Sequence, residues 1–229
     1  VGVDARNLPR QLLAFKSIIK ALKNQQVETE VIFLDADPGT LLERFSATRR
    51  RHPLSDDDRT LADAIEYEAR LLADIRMLAD LVIDTSSLDV HTLRNLIRQR
   101  VARRDVNLSL LIESFGYKNG LPRDADLVFD VRALPNPHWH SELRPLTGRD
   151  ERIAEFLRGH PESDLMLEDI FNFLHRWLPT YAANDRSYVT VAVGCTGGRH
   201  RSVYITEQLA HQLRNQGVPL HVRHRELDG

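Results

Sequence analysis

One cysteine, Cys195, is all that the 229 residues contain. A lone cysteine excludes an internal disulfide and fits a reducing compartment. Long apolar runs are also missing. No stretch approaches the roughly 20 residues that a membrane-spanning helix needs, and no signal peptide is visible. Net basicity is missing too. Lysine plus arginine total 31 against 33 aspartate plus glutamate, a formal charge of −2. Nucleic-acid contact therefore has to come from local patches. No internal repeat and no low-complexity segment appears.

What remains is the composition of a soluble globular protein, 42% hydrophobic and 28% charged. The length is ample for two domains. The chain opens on "VGVDARNLP", which reads as a strand already under way from Val1 to Val3 and predicts a longer parent protein. Leu12 to Leu22 carries apolar residues at helical spacing. "EVIFLDAD" (Glu30 to Asp37) reads as a buried strand, and Pro38 suits the start of the next helix. Leu61 to Ala79 is a long amphipathic helix. Leu81 to Asp84 is a second buried strand, with Ser87 as the expected N-cap of the helix after it. The charged segment Arg100 to Asp105 marks the expected boundary, giving domains 1–103 and 104–229. Beyond it come strands at Leu108 to Glu113, Leu127 to Val131 and Val189 to Val193, and a last one in "PLHVRHREL". Helices lie between them, the last ending at Gly217. Strands alternating with helices predict an α/β fold: two domains, each a parallel sheet with helices on its faces.

The stretch "VTVAVGCTGGRHRSVYIT" (Val189 to Thr206) carries the strongest chemical signal. A β-branched strand leads into a loop, and a helix follows from Ser202. The first N–H groups of that helix are unpaired and its dipole adds partial positive charge. Gly197 and Gly198 let backbone approach a ligand closely. Arg199 and Arg201 offer guanidinium forks suited to phosphate oxygens. Together these describe an anion cradle, most naturally for phosphate. Cys195, Arg201 and Ser202 also fit C-x5-R-[ST], which resembles the signature loop of cysteine-dependent phosphatases. There a thiolate attacks the phosphate. That reading needs a leaving-group acid, for which Asp130 and Asp185 are the candidates. The histidine usual before the cysteine is replaced by Gly194. A plain glycine turn around a small buried cysteine is the bland alternative.

"GCTGGRHRSVYITEQLA", "SFGYKNGLPRDADLVFDVRALPNPHW" and "ELRPLTGRD" resemble the RapZ/YvcJ family of bacterial RNase adaptor proteins. "FLDADPGTLLERFSATRRRHPL" resembles that family's N-terminal half, so the likeness runs along the whole chain. The resemblance implies an N-terminal domain like that of P-loop NTPases and a C-terminal domain that binds phosphosugar and RNA. It implies glucosamine-6-phosphate as ligand, and a regulatory small RNA and RNase E as partners. It further implies a cytoplasmic homotetramer and ATP or GTP with Mg in the full-length family. On this reading Cys195 and Thr196 open the cradle and Gly197 and Gly198 admit the ligand. Arg199, His200 and Arg201 neutralise its charge, and Ser202 begins the helix. The family's Walker A loop would lie before Val1, and no G-x-x-x-x-G-K-[ST] occurs in the chain. Nucleotide binding by this chain is therefore expected to be weak or absent. No cofactor is required, and this chain is expected to be an adaptor, with a cysteine phosphatase or an NTPase as the alternative.

Other sites keep two readings each. Asp35 and Asp37 end a strand where a Walker B acid would sit, or they cap the next helix. Arg49 and Arg50, within "TRRRHP", are a nucleotide lid, an RNA contact or a solvated charge run. Arg132 and His138 lie in a proline-stiffened loop after a strand, where α/β sheets place ligand contacts. His138 is alternatively structural, and Trp139 is expected in the core rather than as a stacking platform. Lys118 is placed at the same pocket. Asn184, Arg186 and Ser187 enter the cradle strand from its far end, so only a neighbouring subunit's ligand is within their reach. "HVRHRE" offers Arg223, His224 and Arg225, with Arg199, as an RNA-backbone contact. A metal site there is disfavoured because alternation splits its residues over two faces.

Overall fold

The computed structural model describes residues 2–3, 9–48, 51–55, 58–101, 108–184 and 186–228. It divides into two compact units, Val1–Ser86 and Ser87–Gly229. No described helix is long and apolar enough to cross a membrane.

In the first unit, β1 (Ile32–Asp35) pairs in parallel with β2 (Leu81–Asp84). Helices α1 (Pro9–Asn24), α2 (Pro38–Thr48) and α3 (Leu61–Met77) accompany them. Apolar spacing on α3 buries Ala64, Ile65 and Ile75, and a Thr60–Asp63 capping box starts that helix. Asp37 takes the N–H groups of Gly39 and Thr40 and so caps α2, with Pro38 at its first position. Gly2 and Val3 are not in a strand, contrary to the expectation for that end. Val1 lies outside the described residues.

The second unit begins with α4 (Val90–Val101). Its cap is Asp89, whose carboxylate accepts the Thr92 N–H at 2.6 Å, so the expected Ser87 cap is wrong by two positions. Four parallel strands follow: β3 (Ser109–Gly116), β4 (Leu127–Asp130), β5 (Tyr188–Cys195) and β6 (Leu220–His224), in the order β4-β5-β3-β6. The central strands β3 and β5 are buried almost throughout, as continuous apolar runs in covered parallel sheets should be. Between the strands run α5 (Glu151–Arg158), α6 (Pro161–Ala183) and α7 (Arg201–Asn215). The core joins Leu110 and Ile112 of β3, Val189, Val191 and Val193 of β5, and Ile153, Leu174, Ile205 and Leu209 of these helices. Gly217, at φ +78°, ends α7 as the sequence predicts.

Helix α4 sends one side chain to β3 and β5. Its Arg100 is buried, donates to the Ser109 carbonyl at 3.2 Å and lies 5.2 Å from the Tyr188 ring. Burial pushes that guanidinium down to about 10, so it stays charged at neutral pH. These contacts tie α4 to the second unit, so compactness divides the chain ahead of the charged segment chosen from sequence.

Alternation along β6 sends Arg223 and His224 to opposite faces. His224 is fully buried, with Nδ1 2.7 Å from Ser114 Oγ and Nε2 3.0 Å from the Glu207 carboxylate. Arg149 also pairs with Glu207, at 3.0 Å. Burial raises the Glu207 carboxyl, but the bonds from His224 and Arg149 outweigh it and hold the group below its ordinary value. A carboxylate depressed in the folded state stabilises above its unfolded value and loses that contribution as pH falls through the folded value. Urea midpoints should therefore drop on acidification below about pH 4.5, the ordinary glutamate range. Glu207→Gln should flatten that drop; an unchanged acid limb in the variant would dismiss the network as its source.

Candidate anion-binding site

The site stands at the carboxyl edge of the second sheet, where α/β folds bind ligands. The chain leaving β3 runs toward β4, and the chain leaving β5 runs toward β6. Given the order β4-β5-β3-β6, these two connections pass over each other. The crossing is close. The Lys118 N–H donates to the Thr196 carbonyl at 3.2 Å, and a Cβ on Gly116 would lie 2.7 Å from the Gly197 carbonyl carbon. On the other flank, a Cβ on Gly148 would lie 2.3 Å from the His200 oxygen and 2.4 Å from the Tyr204 nitrogen. The Gly148 N–H donates to the Arg199 carbonyl at 2.8 Å. Glu226 accepts from the Gly116 N–H at 3.0 Å and from Asn119 Nδ2 at 3.1 Å. A Cβ on Gly198 would meet its other oxygen, and Gly198 has φ +72°. Glycine is thus required at 198 for its conformation and for space.

Inside this grip, Cys195 is buried. Its Sγ accepts the Gly198 N–H at 3.2 Å and lies 3.1 Å from Ser202 Oγ. Arg201 is 5% exposed and opens α7. One terminal nitrogen donates to the carbonyls of Arg132 and Leu134, at 2.8 and 2.9 Å, and the other to Thr196 Oγ1 at 3.3 Å. Burial lowers its pKa, while Cys195 and Asp130 oppose the shift. Arg132 clasps Asp130 at 2.7 Å and stacks on Tyr117, 3.9 Å from the ring centre. Hydrogen bonds from Arg132 hold the Asp130 carboxyl below the usual range. A group kept ionised in this way is a poor proton donor to a leaving group. Asp185, the other acid considered, lies outside the described residues.

His138 is exposed, and its ring centre lies 6.2 Å from that of His200. His200 is 8% exposed, and burial lowers its pKa. Its Nε2 is buried without a hydrogen-bond partner among the described residues. Thr196, Arg199 and Lys118 are exposed at the loop. Asn184, Arg186 and Ser187 do not join the cradle. They precede the 8-residue strand β5 whose other end carries Cys195, a span on the order of 25 Å. There Arg186 pairs with Asp126 at 2.9 Å, and Asn184 bonds the Thr180 carbonyl.

Two expectations need correction. His224 is fully buried and Arg223 is 9% exposed, bonded to Glu113 and Ser87. Neither presents a cation to RNA. Arg225 is half-buried and reaches the Gly120 carbonyl at 3.4 Å. Trp139, expected in the core, is 80% exposed. In the first unit, Asp37 is used as the α2 cap and Asp35 pairs with Arg76 at 3.2 Å; Arg49 and Arg50 lie outside the described residues. Among the described residues no group of three potential metal ligands occurs.

A cavity of about 550 Å³ opens beside the cradle, lined by Thr196, Arg201, the 132–136 segment, Trp139 and Glu162. Sequence reasoning missed Gly116, Gly148, Glu162 and Glu226; the quoted "ELRPLTGRD" contains Gly148, but nothing local marks it as a clamp. The arrangement defines a class: a parallel α/β domain with a strand–loop–helix anion cradle at the carboxyl edge of its sheet.

Family models cover the chain and divide it beside the charged segment chosen from sequence. That of the RapZ-like N-terminal domain matches residues 1–105, and that of the RapZ C-terminal domain matches residues 108–228. A nucleotide-binding protein of Alcanivorax borkumensis is 69% identical over 99% of this chain and 80% of its own length. Proteins of the same name from Chromohalobacter salexigens and Pseudomonas fluorescens are 53% and 50% identical over 99% of this chain, and 77% and 80% of theirs. The chain belongs to the RapZ family.

The clamp is testable by a single methyl group. Gly148→Ala should destabilise the protein by about 2 kcal/mol or more, because backbone rather than a mobile side chain must move. Gly197→Ala, facing open space, should cost less than about 1 kcal/mol. Equal urea midpoints for the two variants would refute the clamp.

Proposed function

We propose that this chain is a phosphosugar-responsive RNA adaptor. Its second unit holds glucosamine-6-phosphate in the 195–202 cradle and, as a homotetramer in the cytoplasm, presents a regulatory small RNA to RNase E. The observation that carries the sugar half is the cavity where the Arg201 fork and the Thr196 hydroxyl converge at the first turn of α7. Unpaired N–H groups, a helix start and a guanidinium suit a phosphate. Another groove, about 600 Å³ between α6 and α7, carries Asp164 and Glu168 and has the wrong sign for one. Arg132, His138 and His200 border the sugar side of the reading.

Support for the RNA half is narrower. Arg199 and Lys118 are exposed on the two crossing connections, so bound RNA would share a surface with the sugar. A few cations per chain bind RNA weakly, and repetition in a tetramer raises avidity. Coupling between sugar and RNA has to be reciprocal. Asn184, Arg186 and Ser187 serve this reading only at a neighbouring subunit's site.

Two enzymatic readings have less support. Among the described residues a cysteine phosphatase finds no ready proton donor, since Asp130 is held ionised by Arg132. Nucleotide binding agrees with the relatives' names; an NTPase reading adds hydrolysis of ATP or GTP with Mg. Within the described residues the chain has Asp35 paired with Arg76 and Asp37 capping α2, so this reading belongs to the full-length protein.

Calorimetry with glucosamine-6-phosphate, glucosamine and glucose-6-phosphate tests the sensor. Tightest binding of the first is expected, with loss of at least tenfold, about 1.4 kcal/mol, in Arg201→Gln. Equal affinity for all three ligands, or phosphate release that disappears in Cys195→Ser, would overturn it.

A further inference from the structure

Glu162 is out of place in a site that only holds phosphate. It lines the same cavity as Arg201 and Thr196, where a carboxylate repels an approaching dianion. It stands in the first turn of α6. It is exposed, and no hydrogen bond or ion pair among the described residues engages it. Asp130, by contrast, is clasped by Arg132, and Glu207 by Arg149 and His224. A carboxylate without a partner on the wall of a cationic cavity suits a ligand that is itself dipolar, anionic at one end and cationic at the other.

Trp139 shares that wall. It closes the short 3-10 turn Pro137–Trp139, which Asn136 caps through the His138 N–H, and it is 80% exposed. The Tyr117 ring nearby already carries Arg132, whereas no ring contact engages the indole among the described residues. Leu134 and Pro135 add apolar surface beside it. An apolar wall facing a hydrogen-bonding rim fits the two faces of a pyranose ring.

We propose that Glu162 selects a phosphosugar bearing a protonated amine, and that Trp139 is the wall on which the sugar ring stacks. The inference rests on the phosphosugar reading above. Arg201 and Thr196 hold the phosphate, and Glu162 pairs with the ammonium group. A neutral hydroxyl or an acetylated nitrogen at that position leaves the carboxylate without its counter-charge. Selectivity and phosphate affinity then reside in different residues of one cavity.

The test is calorimetry of the full chain and its Glu162→Gln and Glu162→Asp variants with three sugars: glucosamine-6-phosphate, its N-acetyl derivative and glucose-6-phosphate. The parent protein should favour the free amine by about tenfold or more. Glu162→Gln should remove that preference while leaving glucose-6-phosphate binding unchanged or slightly tighter, and Glu162→Asp should retain part of it. A parent preference that persists in Glu162→Gln overturns this inference alone. No binding of any of the three by the parent overturns it together with the phosphosugar reading. For the wall, Trp177→Phe leaves Trp139 as the one tryptophan of the two. Its emission should shift and saturate on titration with glucosamine-6-phosphate, and a saturating calorimetric isotherm with unchanged emission rejects the stacking role.

Discussion

Backbone touching backbone is the constraint on which the cradle depends. The connections after β3 and β5 cross, and they do so at a separation that admits no side chain: Gly116 lies against Gly197 and Gly198, and Gly148 against His200 and Tyr204. Ordinary side-chain packing would tolerate drift of several tenths of an ångström. Backbone contact on two flanks does not, because neither partner has a rotamer to change. The loop is therefore shaped before any ligand arrives, and preorganisation of this kind lowers what binding must spend on ordering.

Polar groups finish what the glycines begin. Glu226 ties the end of β3 to the last turn of the chain, and Arg201 ties the start of α7 to the 132–134 segment. Arg201 thus has two duties. Its carbonyl bonds lock the loop after β4 onto the cradle, and its remaining edge, near Thr196, faces the cavity. Cys195 receives the Gly198 N–H, so the C-x5-R-[ST] pattern here describes a folded loop as much as a chemical one.

The cradle itself was legible because its parts are consecutive. A β-branched strand, paired glycines, arginines and an amphipathic helix follow one another from Val189, and the α/β alternation was legible for the same reason. What was not legible comes from afar. Gly116, Gly148, Glu162 and Glu226 reach the loop from four other segments, and only the fold brings them together. Helix α5 was missed because 8 residues give barely two turns of periodicity. Trp139 misled because tryptophan is usually well buried, while a proline-led 3-10 turn aims it outward. Arg223 and His224 look like a basic patch in one dimension; strand alternation divides them between two covered faces.

The central claim is that the loop from Cys195 to Ser202 holds the phosphate of a sugar. Amide nitrogen chemical shifts, followed while glucosamine-6-phosphate is added, test it most directly. The account predicts large, saturable changes at Thr196, Gly197 and the first residues of α7, with Asp164 and Glu168 unmoved. Saturable binding with the changes centred on the α6–α7 groove, and a silent 195–202 loop, would contradict it.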